Sequence, residues 1–289
     1  MTGKVWMVTG ASRGIGAAIV AAALEAGHRV VAAARHPGAI EAPPQHAQRL
    51  LAVPLDVTRS DDVHAALDAA YRRFGRIDVL VNNAGYGQVG CFENTSDAQV
   101  RAQFETNVFG AMNLTRGVLP AMRKQRGGHI FTVSSIAGFV SFSGSSIYSA
   151  SKFALEGWME GLSHELKPFG IHATLVEPGF FRTNFLDASS IGYGQFDIDD
   201  YAPFTAQLVE RHRSMNHRQI GDPAKLAGAL LGLAESASPP LRYAAGSDAV
   251  EFALAKIDSF RANIEAWRAL SVSTDRDERE EALAQKRGS

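Results

Sequence analysis

Tyr148 and Lys152 stand four residues apart in the run Tyr148-Ser-Ala-Ser-Lys152. On a helix, that spacing puts both side chains on one face. A phenol ordinarily titrates near pH ~10, and a fixed ammonium beside it favours the ionised form. The pair therefore predicts a Tyr148 pKa lowered by Lys152 and an acid/base able to exchange a proton nearer neutrality. Ser135 closes the strand-like run His129-Ile-Phe-Thr-Val-Ser-Ser135. A hydroxyl at that strand end can hydrogen-bond the oxygen that Tyr148 approaches, so two donors would hold one substrate oxygen, as carbonyl reduction requires. An isolated Tyr-x-x-x-Lys is also compatible with an exposed helix whose aromatic ring packs under a lysine stem. What separates the two readings is whether the chain also carries a site for a hydride donor.

Such a site is legible at the start of the chain. The apolar run Val5 to Thr9 leads into Gly10-Ala-Ser-Arg-Gly14-Ile-Gly16 and then an alanine-rich helix, Ala17 to Ala26, that stops at Gly27. Glycines allow close backbone approach to a pyrophosphate, and the next helix offers it free N–H groups and a partial positive charge. The spacing, Gly-x-x-x-Gly-x-Gly, departs from the common Gly-x-Gly-x-x-Gly dinucleotide pattern. A second strand, Arg29 to Ala34, ends where an acidic residue would meet the ribose of NAD, but Ala34 is neutral and Arg35 follows it. Arg35 and Arg13 together suit a 2'-phosphate, which favours NADP(H) over NAD, although both arginines are also compatible with plain surface charges.

Behind these motifs, strands and helices alternate. Leu50 to Leu55 is a strand ending at Asp56, Ser60-Asp61-Asp62 caps a helix, and Ile77 to Val81 is a strand broken by Asn82-Asn83-Ala84-Gly85. Ser96 to Gln125 reads as one long helix with Asn107 inside it. The helix carrying Tyr148 runs to Lys167, and strands follow at Ile171 to Val176 and Leu241 to Ala245. Its glycines, Gly157 and Gly161, permit close packing, either between subunits or within one. Asp222-Pro223 opens a further helix, and apolar residues recur at helical spacing from Val250 to Leu270. The pattern predicts an α/β fold: a single-domain, doubly wound parallel sheet of about seven strands, covered by helices on both faces, over residues 1–270, with a polar tail at 271–289.

Composition narrows the class further. At 289 residues, 46% apolar and 20% charged, the chain is ordinary for a globular protein with one full core. A formal charge of −1 gives no general attraction to nucleic acid or anionic membrane. The single cysteine, Cys91, excludes an internal disulfide and reads as a packing residue. Met1 to Lys4 leads directly into a strand, and no apolar run approaches the ~20 residues of a membrane span, so a cytoplasmic protein is expected. The histidines and acids show no metal-ligand spacing, and no metal is expected.

Taken together and in order, these motifs resemble the classical short-chain dehydrogenases/reductases over about Lys4 to Leu270. The likeness rests on Thr9-Gly10-Ala-Ser-Arg-Gly14-Ile-Gly16, Asn82-Asn-Ala-Gly85, Asn107, Ser135, Tyr148-x-x-x-Lys152 and Pro178-Gly179-x-x-x-Thr183. It implies Tyr148 as catalytic acid/base, Ser135 orienting the substrate oxygen, Lys152 lowering the Tyr148 pKa and holding the nicotinamide ribose, and Asn107 supporting a water-linked proton path. It also implies cofactor contacts from Gly10, Ser12, Arg13, Gly14, Ile15, Gly16, Arg35, Asp56, Val57, Asn83, Ala84, Gly85, Tyr148, Lys152, Pro178, Gly179 and Thr183. The stretch Tyr148 to Gly157 with Val176-Glu-Pro-Gly179 is similar to the retinol and 17-beta-hydroxysteroid dehydrogenase branch. Phe180 to Gly221 falls where the family places a substrate lid, and its aromatics, Phe180, Phe181, Phe185, Tyr193, Phe196, Tyr201 and Phe204, suit either an apolar substrate or packing beneath the loop. Arg211-His-Arg213 and His217-Arg218 read either as an anion site or as a solvated helix face. The expected activity is NADP(H)-dependent hydride transfer with a small-molecule carbonyl or alcohol, in a homodimer or homotetramer. The alternative is an NADPH-binding sensor with this fold and little turnover.

Overall fold

The computed structural model describes residues 3–40, 43–188 and 190–275. In chain order the elements are β1 (Val5–Thr9), α1 (Gly14–Glu25), β2 (Arg29–Ala34), β3 (Leu50–Pro54), α2 (Ser60–Phe74), β4 (Val79–Asn82), β5 (Gly87–Val89), α3 (Asp97–Phe104), α4 (Gly110–Gln125), β6 (Gly128–Val133), α5 (Ser146–Leu166), β7 (Ile171–Pro178), β8 (Ile191–Tyr193), α6 (Ala202–Met215), α7 (Pro223–Glu235), β9 (Arg242–Ala245) and α8 (Ser247–Val272). Seven strands form one parallel sheet in the order β3-β2-β1-β4-β6-β7-β9, and β5 and β8 pair separately.

The strands are continuous apolar runs because both faces of the sheet are covered. Side chains alternate across β1. Val5 and Met7 join a core with residues of α2, α4 and α5, while Trp6 and Val8 join a second core with residues of α1 and α7. Strand order reverses between β1 and β4, which opens a crevice beyond their carboxyl ends. The predicted single-domain, doubly wound α/β fold is the observed one.

Three local expectations are corrected. The single helix expected over Ser96–Gln125 is interrupted: α3 starts with a Ser96–Gln99 capping box, Glu105–Phe109 forms a wider π turn, and α4 follows. Such turns absorb one extra residue, and here the turn carries Asn107. Ser60 does not cap α2; Arg59 occupies the cap position without a side-chain bond, and the Asp62 carboxylate instead accepts the Asp56 N–H at 3.1 Å. The strand leading to Ser135 ends two residues early, and Ser135 caps a short 3₁₀ turn, Ile136–Gly138. The Asp222 cap with Pro223 at the first turn of α7 forms as expected, its carboxylate accepting the Ala224 N–H at 2.8 Å. A Cβ built at Gly157 or Gly161 meets nothing within 4 Å, so packing among the described residues requires neither glycine. Among the described residues no helix is long and apolar enough to cross a membrane. Positions 276–289 of the expected polar tail lie outside the described residues, while 271 and 272 still belong to α8.

Candidate active site

A cleft of about 1180 Å³ lies over the carboxyl ends of the central strands. One end is made by the glycine turn. Gly10 has φ +62°, a left-handed conformation that a side chain disfavours, and a Cβ there would also stand 2.9 Å from Asn83 Nδ2. At Gly16 a Cβ would meet the Gly10 carbonyl oxygen, so Gly16 lets α1 pack against the turn from behind, while Gly10, Ser12, Arg13, Gly14 and Ile15 line the cleft. The first turn of α1 holds no acid, leaving its N-terminal dipole uncompensated. Asn83 fastens this end: its Nδ2 donates to the Thr9 carbonyl at 2.9 Å and the Gly10 carbonyl at 3.3 Å. The Thr9 hydroxyl in turn accepts from the N–H groups of Asn83 and Ala84, at 2.9 and 3.0 Å.

Arg35, Asp56, Val57, Asn83, Ala84 and Gly85 continue the same wall. Burial pushes the Asp56 carboxyl up, and bonds from the Thr58 hydroxyl and N–H, at 2.7 and 3.0 Å, act against it. With the charges of Arg35 and Arg59 added, the group is held below the usual carboxylate range.

At the other end, Ser135, Tyr148 and Lys152 meet. Ser135 Oγ accepts the Ala137 N–H at 3.0 Å, which fixes the hydroxyl at the cleft wall. Tyr148 and Lys152 share one face of α5, as the spacing requires. Lys152 Nζ, however, donates to the Val133 carbonyl at 2.8 Å and stands 5.7 Å from the Tyr148 ring centroid. The predicted acidic phenol is corrected for the protein by itself: burial pushes Tyr148 up to about 12, with the Ser135 hydrogen bond acting in the opposite sense. Burial also takes Lys152 down to about 8. Desolvation dominates both shifts, and the Lys152 amine, directed at the Val133 carbonyl, is not spent on the phenol.

Asn107 is buried and placed by the π turn. Its Oδ1 accepts the Tyr86 N–H at 3.1 Å, and its Nδ2 donates to the Tyr86 carbonyl at 3.1 Å and to Ser151 Oγ at 3.2 Å. A Cβ at Gly85 would fall 3.1 Å from Asn107 Oδ1 and 3.9 Å from Lys152 Nζ, so Gly85 lets the two groups approach one pocket. Pro178, Gly179 and Thr183 close the cleft from β7. Gly179 is obligatory there, because a Cβ would overlap the Asp248 carboxylate, which accepts the Phe180 N–H at 2.7 Å.

Of the seven aromatics between Phe180 and Gly221, only Phe180, Phe181 and Phe185 reach the cleft. Tyr193 and Phe204 pack with Val89, Ile191 and Leu208, Phe196 is exposed, and Tyr201 donates to Glu93 at 2.5 Å. Arg211 and His212 line the cleft, whereas His217 pairs with Asp187 at 3.2 Å away from it. Sequence reasoning passed over Phe142, which lines the cleft and stands 6.2 Å from Phe180, and Gln219, which is buried with both amide atoms unpaired. Their only signal was proximity in the chain to known motifs.

The sheet, the glycine turn at its switch point and the Ser–Tyr–Lys meeting point define a dinucleotide-fold oxidoreductase. The chain belongs to the short chain dehydrogenase family, which residues 4–192 match. It is similar to a short-chain dehydrogenase from Streptomyces avermitilis, with TM-score 0.86 and 41% identity over 95% of this chain and 100% of that one. The structure of a short chain dehydrogenase/reductase from Burkholderia phymatum in complex with NAD superimposes with TM-score 0.70 at 25% identity, covering 83% of this chain and 88% of that one. Among curated proteins, a 3-ketodihydrosphingosine reductase of Bacteroides thetaiotaomicron is 35% identical over 85% of this chain and 89% of its own length.

Proposed function

We propose that this oxidoreductase transfers hydride between NADP(H) and the carbonyl or secondary alcohol of an apolar small molecule, working as a homodimer or homotetramer in the cytoplasm. The observation that carries the reading is the convergence of Ser135 and Tyr148 in the cleft whose opposite end is the glycine turn. The nicotinamide, when bound, supplies or accepts the hydride. The residues that would hold it are the glycine turn for the pyrophosphate, Asp56 and Val57 for adenine, Lys152 for the ribose, and Pro178, Gly179 and Thr183 for the carboxamide.

The protein's own part is orientation and proton transfer. Ser135 donates to the substrate oxygen and fixes its distance from Tyr148. A phenol pushed up to about 12 is protonated at neutral pH and suited to giving its proton to a developing alkoxide, which favours reduction. Lys152, near 8, then serves with Asn107 in returning a proton to Tyr148. Arg13 and Arg35 at the adenosine end, with no acid after β2, support NADP(H).

Residues 180–221 act as substrate lid, and Phe142, Phe180, Phe181, Phe185, Leu186 and Leu208 give it an apolar wall. A relative named for reducing 3-ketodihydrosphingosine supports the same substrate class, and the resemblance to retinol and steroid dehydrogenases points the same way. The test is consumption of NADPH and NADH by the purified protein across aldehydes, steroids, retinoids and long-chain ketones. Faster NADPH consumption with apolar ketones is expected. A preference for NADH would reject the arginine argument, and no consumption with any carbonyl would reject the reaction.

A further inference from the structure

α8 is the longest helix among the described residues, at 26 residues, and only Ala249 in it is buried. Its root is anchored: the Asp248 carboxylate accepts the N–H of Phe180, and the Phe252 ring meets Phe142 edge-on at 5.5 Å. Beyond that point the helix carries large apolar side chains into solvent, including Leu254 at 58% exposure, Ile257 at 53%, Phe260 at 62%, Ile264 at 49% and Trp267 at 62%. These follow Val250 at steps of three and four, so they form one stripe about 26 Å long at ~1.5 Å per residue. A helix of this kind is stable in water only when the stripe is covered.

The charges beside the stripe say what covers it. Glu251, Asp258 and Glu265 recur every seventh residue along one edge, and Arg261 and Arg268 recur at the same interval beside them. Within the helix, Arg268 bonds Glu265 at 2.8 Å through Nε. In an antiparallel helix pair, like edges face each other. When the two-fold axis passes between Ser259 and Phe260, Glu251 lies opposite Arg268 of the second copy and Asp258 lies opposite its Arg261. The same placement lays residues 250–267 over residues 252–269 of the second copy, so that Val250, Ile257 and Ile264 face the small Ala269, Ala262 and Ala255 and Trp267 faces Phe252, and it sets Lys256 against the neutral Asn263 and Glu265 against Leu254. A surface that matches itself under a two-fold axis is the mark of an isologous contact.

We propose that α8 pairs antiparallel with α8 of a second copy of this chain, through the Val250–Trp267 stripe and with Glu251–Arg268 and Asp258–Arg261 contacts across the axis. Because the root of α8 holds Phe180 and Phe142, the pairing would also fix one wall of each cleft.

The test is sedimentation of the full-length protein over a micromolar concentration range, with circular dichroism confirming that each variant keeps its helix content. Wild type is expected as a dimer or a dimer of dimers, and Ile264→Glu combined with Trp267→Glu at half that mass. Glu251→Arg alone is expected to raise the dissociation constant about tenfold, the scale of a partly buried like-charge contact. Adding Arg268→Glu should restore association to within a few-fold. The proposal is overturned by a monomeric wild type, including one that binds neutral lipid vesicles instead, by an assembly that Ile264→Glu and Trp267→Glu leave intact, or by a charge exchange that fails to restore pairing.

Discussion

The two ends of the cleft satisfy their polar groups in opposite ways. At the glycine turn, Thr9, Gly10, Asn83 and Ala84 are tied to one another by four hydrogen bonds between β1 and β4, so the wall is finished before any ligand arrives. At the opposite end, His212 Nδ1 and both amide atoms of Gln219 are buried without hydrogen-bond partners among the described residues. Buried polar atoms left unpaired are costly, so this end is held less firmly by its own bonds than the glycine turn is. The difference teaches that the glycine-turn end is closed on itself by two side chains, Thr9 and Asn83, whereas the opposite end keeps polar side chains that its own neighbours do not satisfy.

The sharpest way to separate the halves is to remove the chemistry and leave both walls standing. Tyr148→Phe deletes one oxygen from a side chain otherwise packed at 5.7 Å from Phe185. We expect kcat/KM to fall by roughly 10²–10⁴-fold, the usual contribution of a positioned proton donor. NADPH affinity, read by fluorescence titration, should change little. Retained turnover would remove Tyr148 from the mechanism.

Next in size is a change confined to the cofactor half. Arg35→Asp replaces a cation at the end of β2 by the acid that a ribose hydroxyl prefers. The ratio of kcat/KM for NADPH to that for NADH is expected to drop by roughly 10–100-fold, the worth of a charge-assisted phosphate contact. Substrate KM measured at saturating cofactor should be unmoved. An unchanged ratio would show that Arg35 is a surface charge and that Arg13 alone, or neither, reads the phosphate.

The same division explains what could be read in the sequence. β1, β2 and β4 were legible because continuous apolar runs and glycine turns depend on local chemistry, and each end of a parallel strand is a place where the chain must turn. Tyr148 and Lys152 were legible because helical geometry alone puts them on one face. Their titration was not: the direction of the Tyr148 shift depends on Lys152 being turned to the Val133 carbonyl and on the depth of burial, which only tertiary packing decides. The break at Glu105–Phe109 escaped for a related reason, since Asn107 bonds the backbone of Tyr86, 21 residues earlier. Tyr193 and Phe204 show a choice that sequence leaves open: of the two uses their aromatic rings allow, they take packing beneath the loop, against Val89, Ile191 and Leu208.

Lys152 lies where the halves meet, and its titration gives a pH test. An unfolded lysine titrates near 10.5, whereas here burial lowers the value to about 8. Between these values the unfolded chain holds a proton that the folded chain has lost, so this group makes stability rise with pH across that window, and the gain disappears as pH falls through 8. The full shift corresponds to at most about 3 kcal/mol, of which roughly half falls between pH 7.5 and 9.5. Urea unfolding of wild type and Lys152→Met at those two pH values should show the rise in wild type only. Parallel behaviour of the two proteins would mean that Lys152 is charged in the fold and paired more closely than its bond to Val133 indicates.

The smallest effect sharpens the lid end. The Phe185 ring is tilted 53° to Tyr148, and its Cζ lies 3.2 Å from where a Gly87 Cβ would stand, so the ring is held between the acid/base and β5. The turn beneath it is fixed independently, since the Phe185 N–H donates to Thr183 Oγ1 at 3.2 Å. Phe185→Ala should therefore remove apolar surface without releasing the backbone. We expect KM for an apolar ketone to rise about 3–10-fold, in line with the ~0.5–1.5 kcal/mol of an aromatic contact. NADPH affinity should stay constant, and kcat should change less than KM. If kcat fell with KM unchanged, the ring would be positioning Tyr148 for proton transfer instead of holding substrate, and the boundary between the two halves would have to move from Tyr148 to Phe185.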